Sequence, residues 1–288
     1  MPVYYKHSGK TAPQGLLGGL LVGAAASLPA AFLYDYGIFT IPSAKLRAIG
    51  TLAFGALMGA AAGIAMCWGK VRNKLVAETV GFAVSVFGLY LSWAIWILHL
   101  VRPSLWLFNP LYAAAHPRRL WRVVLAVNAA GTWSYGGGTP EHGTLLWFIW
   151  VSEALLVLAA GTLTASALVQ RRPFCEPCGQ WCAERRKLYF APSLPAAQLK
   201  IQLESQDIAG LEKLTMGDKK KAHYRIDLHS CGICHSLNTL SLVQNLPRDR
   251  KTVVDKLLVT PEQASVIRHC EVHQLASASM NTVPAPTK

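Results

Sequence analysis

The sequence predicts an all-α bundle of four membrane-spanning helices followed by a small α+β domain. Three observations predict it. The chain is 52% hydrophobic and only 15% charged, against about 25% charged in an ordinary soluble domain. The deficit is uneven: residues 1–170 hold 11 Lys/Arg and 4 Asp/Glu, and residues 171–288 hold 17 and 11. Six of the seven cysteines follow that break. The composition sets a membrane domain over 1–170, a soluble domain over 171–275 and a disordered polar tail over 276–288.

Four segments, about 15–37, 48–68, 75–101 and 144–169, are each long enough to cross roughly 30 Å of hydrocarbon, which needs about 20 apolar residues in a helix. The first is too long for a cleaved signal peptide and leads into another span. The loop "GKVRNK" between spans two and three carries Lys70, Arg72 and Lys74 and no acid. Lys6 and Lys10 precede span one, and Arg171 and Arg172 follow span four. The positive-inside bias places this loop and both termini in the cytoplasm of a bacterial-type inner membrane. The 102–143 loop is then external, and its arginines and tryptophan around "RRLWRVVLAVNAA" suit a helix lying in the headgroup layer. "TWSYGGGTP" reads as a flexible turn back to span four.

The net charge of +13 goes with anionic lipid headgroups. No basic helix or aromatic-basic motif points to nucleic acid. Gly15, Gly19 and Gly23 in span one and Gly55, Gly59 and Gly63 in span two recur every four residues. Such stripes let helix backbones approach closely. A packed hairpin of spans one and two is expected, with a seam between copies of the chain as the alternative.

Two of the acids in the spans or at their ends, Glu78 and Glu153, draw a reading. Glu78 follows Lys74 by one helical turn at the start of span three and is expected to pair with it. Glu153, beyond the interfacial Trp147 and Trp150, falls inside the hydrocarbon and must face other helices or water. Ser92 and Ser27 are its candidate neighbours by depth. It is either a proton or ion site or a neutral, hydrogen-bonded acid that orders the bundle. Of the external histidines only His99 lies on a predicted span, so a haem held by paired histidines is not expected.

Cys67 stands alone in span two as an apolar filler. Cys175/Cys178 and Cys231/Cys234 form two C-x-x-C pairs separated by 52 residues. Two such turns supply four thiolates at tetrahedral geometry. "YRIDLH" before the second pair and "SLNTLSLV" after it alternate as strands do. The knuckles "FCEPCGQWC" and "HSCGICH" resemble those of zinc-ribbon and rubredoxin-type domains, over residues 174–242. The resemblance implies a strand–knuckle–strand fold around structural zinc. Iron in the same four-sulfur site is the alternative, and disulfides would require the opposite topology. Gly232 is expected to allow the tight turn of the second knuckle. Cys182, Cys270 and His235 remain as candidates for a further metal or redox site. "TPEQASVIRHC" opens as a helix, with Thr260 as its cap and Pro261 at its first position.

No phosphate loop, dinucleotide fingerprint or H-E-x-x-H occurs, and no nucleophile, base and orienting group come together. The expected function is a non-enzymatic membrane scaffold or adaptor whose metal domain binds a protein partner. The alternatives are a small transporter or ion-conducting protein using Glu153, and a membrane-anchored iron–sulfur-type redox protein. The charge pattern generates a direct test. A reporter fused after Lys288 should read as cytoplasmic and one inserted at Gly137 as extracytoplasmic; activity of a periplasm-only reporter at the C-terminus would reverse the topology.

Overall fold

The computed structural model describes residues 2–41, 43–101, 110–132, 140–208, 211, 214–215, 217–218, 221–247 and 249–280. The chain divides into two compact units: Ser8–Arg171, and Met1–His7 together with Arg172–Lys288.

The first unit is helical: α1 (Pro13–Thr40), α2 (Ala44–Trp68), α3 (Lys74–Val101), the short α4 (Pro110–Ala114), α5 (Pro117–Ala130) and α6 (Thr144–Gln170). By length and composition α1, α2, α3 and α6 can each cross a membrane. α1 and α6 each pack on both α2 and α3, so the four form a ring in the order α1–α2–α6–α3. The packing is inverted relative to a water-soluble bundle. Large apolar side chains such as Leu33, Leu155 and Leu163 point outward. The interior sets small residues, among them Ala31, Ala62, Ala77 and Ala165, beside a few larger ones such as Phe54, Met58 and Ile95. Close backbone approach between small residues is how helices associate where the surroundings are as apolar as the side chains.

The glycine stripes both lie in helix interfaces, but they do not face each other. A Cβ on Gly15, Gly19 or Gly23 would meet Val71, Met66 or Val84, on α2, its exit or α3. One on Gly55, Gly59 or Gly63 would meet α6, at Val157, Gly161 or Ala165. The second stripe therefore seats α6 rather than closing a hairpin with α1. Its counterpart is Gly161, itself held against Ser85 and the Gly55 carbonyl.

Helix starts follow local chemistry. The Asn73 side chain accepts the Val76 N–H at 3.2 Å and caps α3. Lys74 and Glu78 pair at 3.6 Å one turn apart, as the spacing predicts. α5 buries Val124 and Asn128 against a cluster holding Leu146, Trp150 and Ile97. Arg118, Arg119 and Arg122 stay exposed. The flexible turn expected at 132–140 lies mostly outside the described residues, as does 102–109.

The second unit holds β1 (Phe174–Cys175) paired with β2 (Gln180–Trp181), and a four-stranded antiparallel sheet in sequential order: β3 (Glu184–Phe190), β4 (His223–Ser230), β5 (Asn238–Leu246) and β6 (Asp249–Val259). Helices α7 (Ala196–Glu204) and α8 (Pro261–Met280) complete it. The alternation of β4 puts Tyr224, Ile226 and Leu228 in the core, and Leu188, Ile226, Leu242 and Val254 form one row across the sheet. The other side chains of β4 form a polar row, where Asp227 Oδ2 accepts from Arg185 at 3.2 Å and Arg225 at 3.0 Å. α8 begins with a reciprocal capping box: the Thr260 hydroxyl accepts the Gln263 N–H at 3.3 Å, and the Gln263 side chain accepts the Thr260 N–H at 2.9 Å. The helix continues to Met280, past the tail boundary drawn at 276; residues 281–288 lie outside the described part.

Residues 2–7 were expected with the membrane domain. Instead they lie along β6 as an added strand segment: Tyr4 pairs with Leu257, Tyr5 donates its N–H to Lys256 at 2.8 Å, and Leu258 donates to Val3 at 2.9 Å. A register shift in β6 makes this possible. Lys256 sits at φ +53° with its N–H turned to the Ser241 hydroxyl at 2.9 Å, leaving its carbonyl for Tyr5.

The glycine geometry predicts an asymmetry. Gly59→Leu puts a side chain 2.1 Å from the Gly161 carbonyl oxygen and should cost about 1–3 kcal/mol or more through overpacking. Gly18→Leu, which meets nothing within 4 Å, should change little. Thermal unfolding of the detergent-solubilised protein compares the two.

Candidate metal centre

The sheet register explains how two distant knuckles meet. β3 begins two residues after Cys182, and β4 ends one residue before Cys231. Antiparallel pairing of Glu184 with Ser230 therefore brings both C-x-x-C turns to one end of the sheet. The sulfurs of Cys175, Cys178, Cys231 and Cys234 all lie within 4.8 Å of one another. With metal–sulfur bonds of about 2.3 Å, a tetrahedral site has sulfur–sulfur edges of about 3.8 Å. Cys175 and Cys234 are already at 3.5 Å. The donor set and spacing fit a tetrahedral metal ion, and Cys234 gives the site one exposed edge.

The two knuckles share a backbone device. The residue after each second cysteine is left-handed: Gly179 at φ +61° and His235 at φ +53°. Gly179 donates its N–H to Glu176 at 3.3 Å and His235 to Cys231 at 3.2 Å. Gly232, expected to make the turn, is not in the left-handed region and has open space around it. The requirement falls four residues after the first cysteine, where a histidine meets it at some conformational cost. The Asn238 side chain then donates to the His235 carbonyl at 2.8 Å and fixes the exit into β5.

The four thiols are electrostatically unequal. Burial pushes the Cys231 thiol up, but backbone N–H groups of Cys234 and Ile233 aimed at its sulfur outweigh that and lower it. The hydroxyl and N–H of Ser236 bring Cys234 down to about 5. Its hydrogen bond with Cys234, with burial added, drives Cys178 up to about 12, and burial raises Cys175. The second knuckle is thus shifted towards thiolate and the first towards thiol. A metal ion would bind the thiolates and displace the remaining thiol protons.

The remaining candidates separate. Cys182 is fully buried beside Cys175 and Cys231, where burial pushes its thiol up to about 12. Its N–H closes the first knuckle on the Pro173 carbonyl at 2.9 Å. Cys270 lies in the sheet–helix core, and His235 is exposed and contributes its backbone. Among the described residues the only cluster of three or more possible metal ligands is the cysteine tetrad. His229, on the polar face of β4, is lowered to about 4 by burial and by Arg185.

The sequence reading missed Tyr5. Its hydroxyl accepts the Phe174 N–H at 2.9 Å, donates to the Phe174 carbonyl at 3.3 Å and contacts His7 Nδ1 at 3.1 Å. His7 and Phe174 both stand edge-on to Trp181. The N-terminal segment thereby braces the strand that carries Cys175. An aromatic-rich start, "VYYKH", was the available signal.

Glu153 is not isolated. It lines a cavity at one end of the helical unit together with Ser92, Asp35 and Arg47. Ser27 is elsewhere, buried beside Gly88 with its hydroxyl donating to the Gly23 carbonyl at 2.8 Å.

Fold and site together define a chain with four candidate membrane-spanning helices joined to an α+β domain whose cysteine tetrad could bind a metal ion. Compared with protein-family models, with curated proteins and with solved structures, it matches none.

The bracing by Tyr5 is testable. Tyr5→Phe leaves the Phe174 N–H without its acceptor and should destabilise the domain by about 1–3 kcal/mol. With a metal ion loaded on the tetrad, faster transfer to a chelator would report it.

Proposed function

We propose that this is a multi-pass inner-membrane protein whose zinc-stabilised cytoplasmic domain serves as a non-enzymatic scaffold or adaptor for a protein partner. The observation that carries the reading is the convergence of four sulfurs from two similar knuckles within 4.8 Å. Four thiolates suit zinc in a closed structural site, and a reducing compartment keeps them available. The shared unit of residues 2–7 and 172–280 supports same-side termini. One folded unit cannot be divided by a bilayer, so the intervening chain must cross an even number of times. Lys70, Arg72 and Lys74, in a loop whose sequence holds no acid, favour the cytoplasmic side. For docking, the tip between the ligands Cys231 and Cys234 exposes Ile233, an apolar contact on a backbone that bound metal would stiffen.

A second reading is transport through the bundle. The cavity that unites Glu153 with Asp35 and Arg47 favours it, because ionisable groups within spans mark solute or proton paths.

Elemental analysis of the purified protein should find about one zinc per chain; a coloured iron protein would favour the redox alternative. Cys231→Ser should then unfold the domain while the spans remain inserted, since metal affinity is folding free energy, on the order of 10 kcal/mol for a full site. Limited proteolysis should release fragments from beyond about Arg172, with Cys67→Ser unchanged as the control. Metal-free protein with oxidised thiols, or a Cys231→Ser domain as resistant as the parent, would overturn the reading.

A further inference from the structure

The cavity in the helical unit measures about 230 Å³. It is bounded by the C-terminal end of α1, the start of α2, the second half of α3 and the first half of α6. Its wall combines acids with aromatic rings. Asp35 and Glu153 supply the acids; Tyr34, Trp93, Trp96 and Trp150 supply the rings. The tryptophans hold one another edge to face, with Trp93 and Trp150 at 4.9 Å and 90°. Tyr34 is stacked on Phe54 at 4.6 Å, its hydroxyl 3.0 Å from that of Thr51. The rings are a set wall, not loose filling.

The two acids are not equivalent. Arg47 stands within electrostatic reach of Glu153, and its Nε–H is anchored on the Ile41 carbonyl at 2.7 Å. Glu153 therefore has a countercharge on the same wall. Asp35 is only 1% exposed, yet among the described residues neither of its carboxylate oxygens has a hydrogen-bond partner. His99 Nδ1 is 3.8 Å from Oδ2, an ion pair when the imidazole is protonated but beyond hydrogen-bonding distance. A buried carboxylate without donors is costly and calls for a cation or donor to complete it.

A carboxylate beside tryptophan rings recognises organic cations. Coulomb attraction and the negative faces of the rings act on the same positive group, most strongly where water is excluded. The cavity is smaller than the roughly 300 Å³ at which pockets for drug-sized ligands begin. Inorganic metal is not favoured, because Asp35, Glu153 and His99 do not converge as ligands among the described residues. We infer that this cavity binds a small alkylammonium cation, with Asp35 as its charge partner and Trp93, Trp96 and Trp150 as its aromatic wall. The inference names a substrate class for the transport reading and rests on that reading for movement of the cation, though not for binding.

The test uses the full chain in detergent and equilibrium dialysis with labelled choline. Saturable binding at about one site per chain is expected. A hundredfold excess of 3,3-dimethylbutan-1-ol, the uncharged isostere, should not compete. Asp35→Asn should weaken choline by about tenfold or more, and Trp96→Leu by about fivefold, each tenfold being about 1.4 kcal/mol. If gel filtration shows Asp35→Asn misfolded, Glu153→Gln takes its place: it leaves Arg47 uncompensated in the wall and should weaken choline by at least about fivefold. No saturable binding, equal competition by the isostere, displacement by micromolar Zn²⁺ or Mg²⁺, or a folded charge variant that binds like the parent would overturn the site. Choline binding without choline flux in proteoliposomes would leave the site standing and remove only the transport reading.

Discussion

The pairing of β3 with β4 is the constraint on which the soluble unit turns. One register, Glu184 opposite Ser230, sets both where the core row of Leu188 and Ile226 lies and where the two knuckles meet. A slip of one residue would turn every core side chain of β4 to the polar face and would also part the cysteines. Core and metal ligands thus specify the same alignment, and each lowers the cost of forming the other. The 52 residues between the pairs are the strands and helix that enforce this register, which makes the domain larger than a simple ribbon.

The helical unit solves the opposite problem. In a bilayer, to which its four candidate spans are suited, no hydrophobic force would drive the helices together, and contact would depend on close approach of small residues. Gly59 against Gly161 and Gly69 against Gly15 are two such close contacts. Where the small residues give way to Trp93, Trp96 and Trp150, the helices cannot close as tightly, and the cavity with its unequal acids lies there. The polar pocket and the change in side-chain size are one feature.

Much of this was legible in the sequence. Apolar length located the four long helices to within a few residues, because span length is set by composition alone. Cysteine spacing located the tetrad, because a C-x-x-C turn is a local geometry. What escaped was relational. A glycine stripe shows that a helix face is small but not which neighbour fills it, so α6 as the partner of Gly55, Gly59 and Gly63 could not be read. Asp35 was passed over because one acid scarcely dents the hydropathy of a long span. Its importance appears only when α3 and α6 are placed around it. The aromatic start that holds Tyr5 did not name its partner, since Phe174 is 169 positions away and no periodicity links them. The left-handed position after Cys234 was hidden by its occupant, a histidine where glycine would have announced it.

The strand segment along β6 gives the chain a closed course. Residues 2–7 are synthesised before any of the helices, yet every partner they have in the second unit, from Phe174 to Leu258, is synthesised after all of them. The segment therefore cannot join β6 until the whole bundle has been made, and its docking there is a late event in assembly. It also ties the two flanks of the bundle together through backbone hydrogen bonds, without a covalent link. The helical unit is thus held as a loop, whose ends can separate only if the edge of the sheet opens.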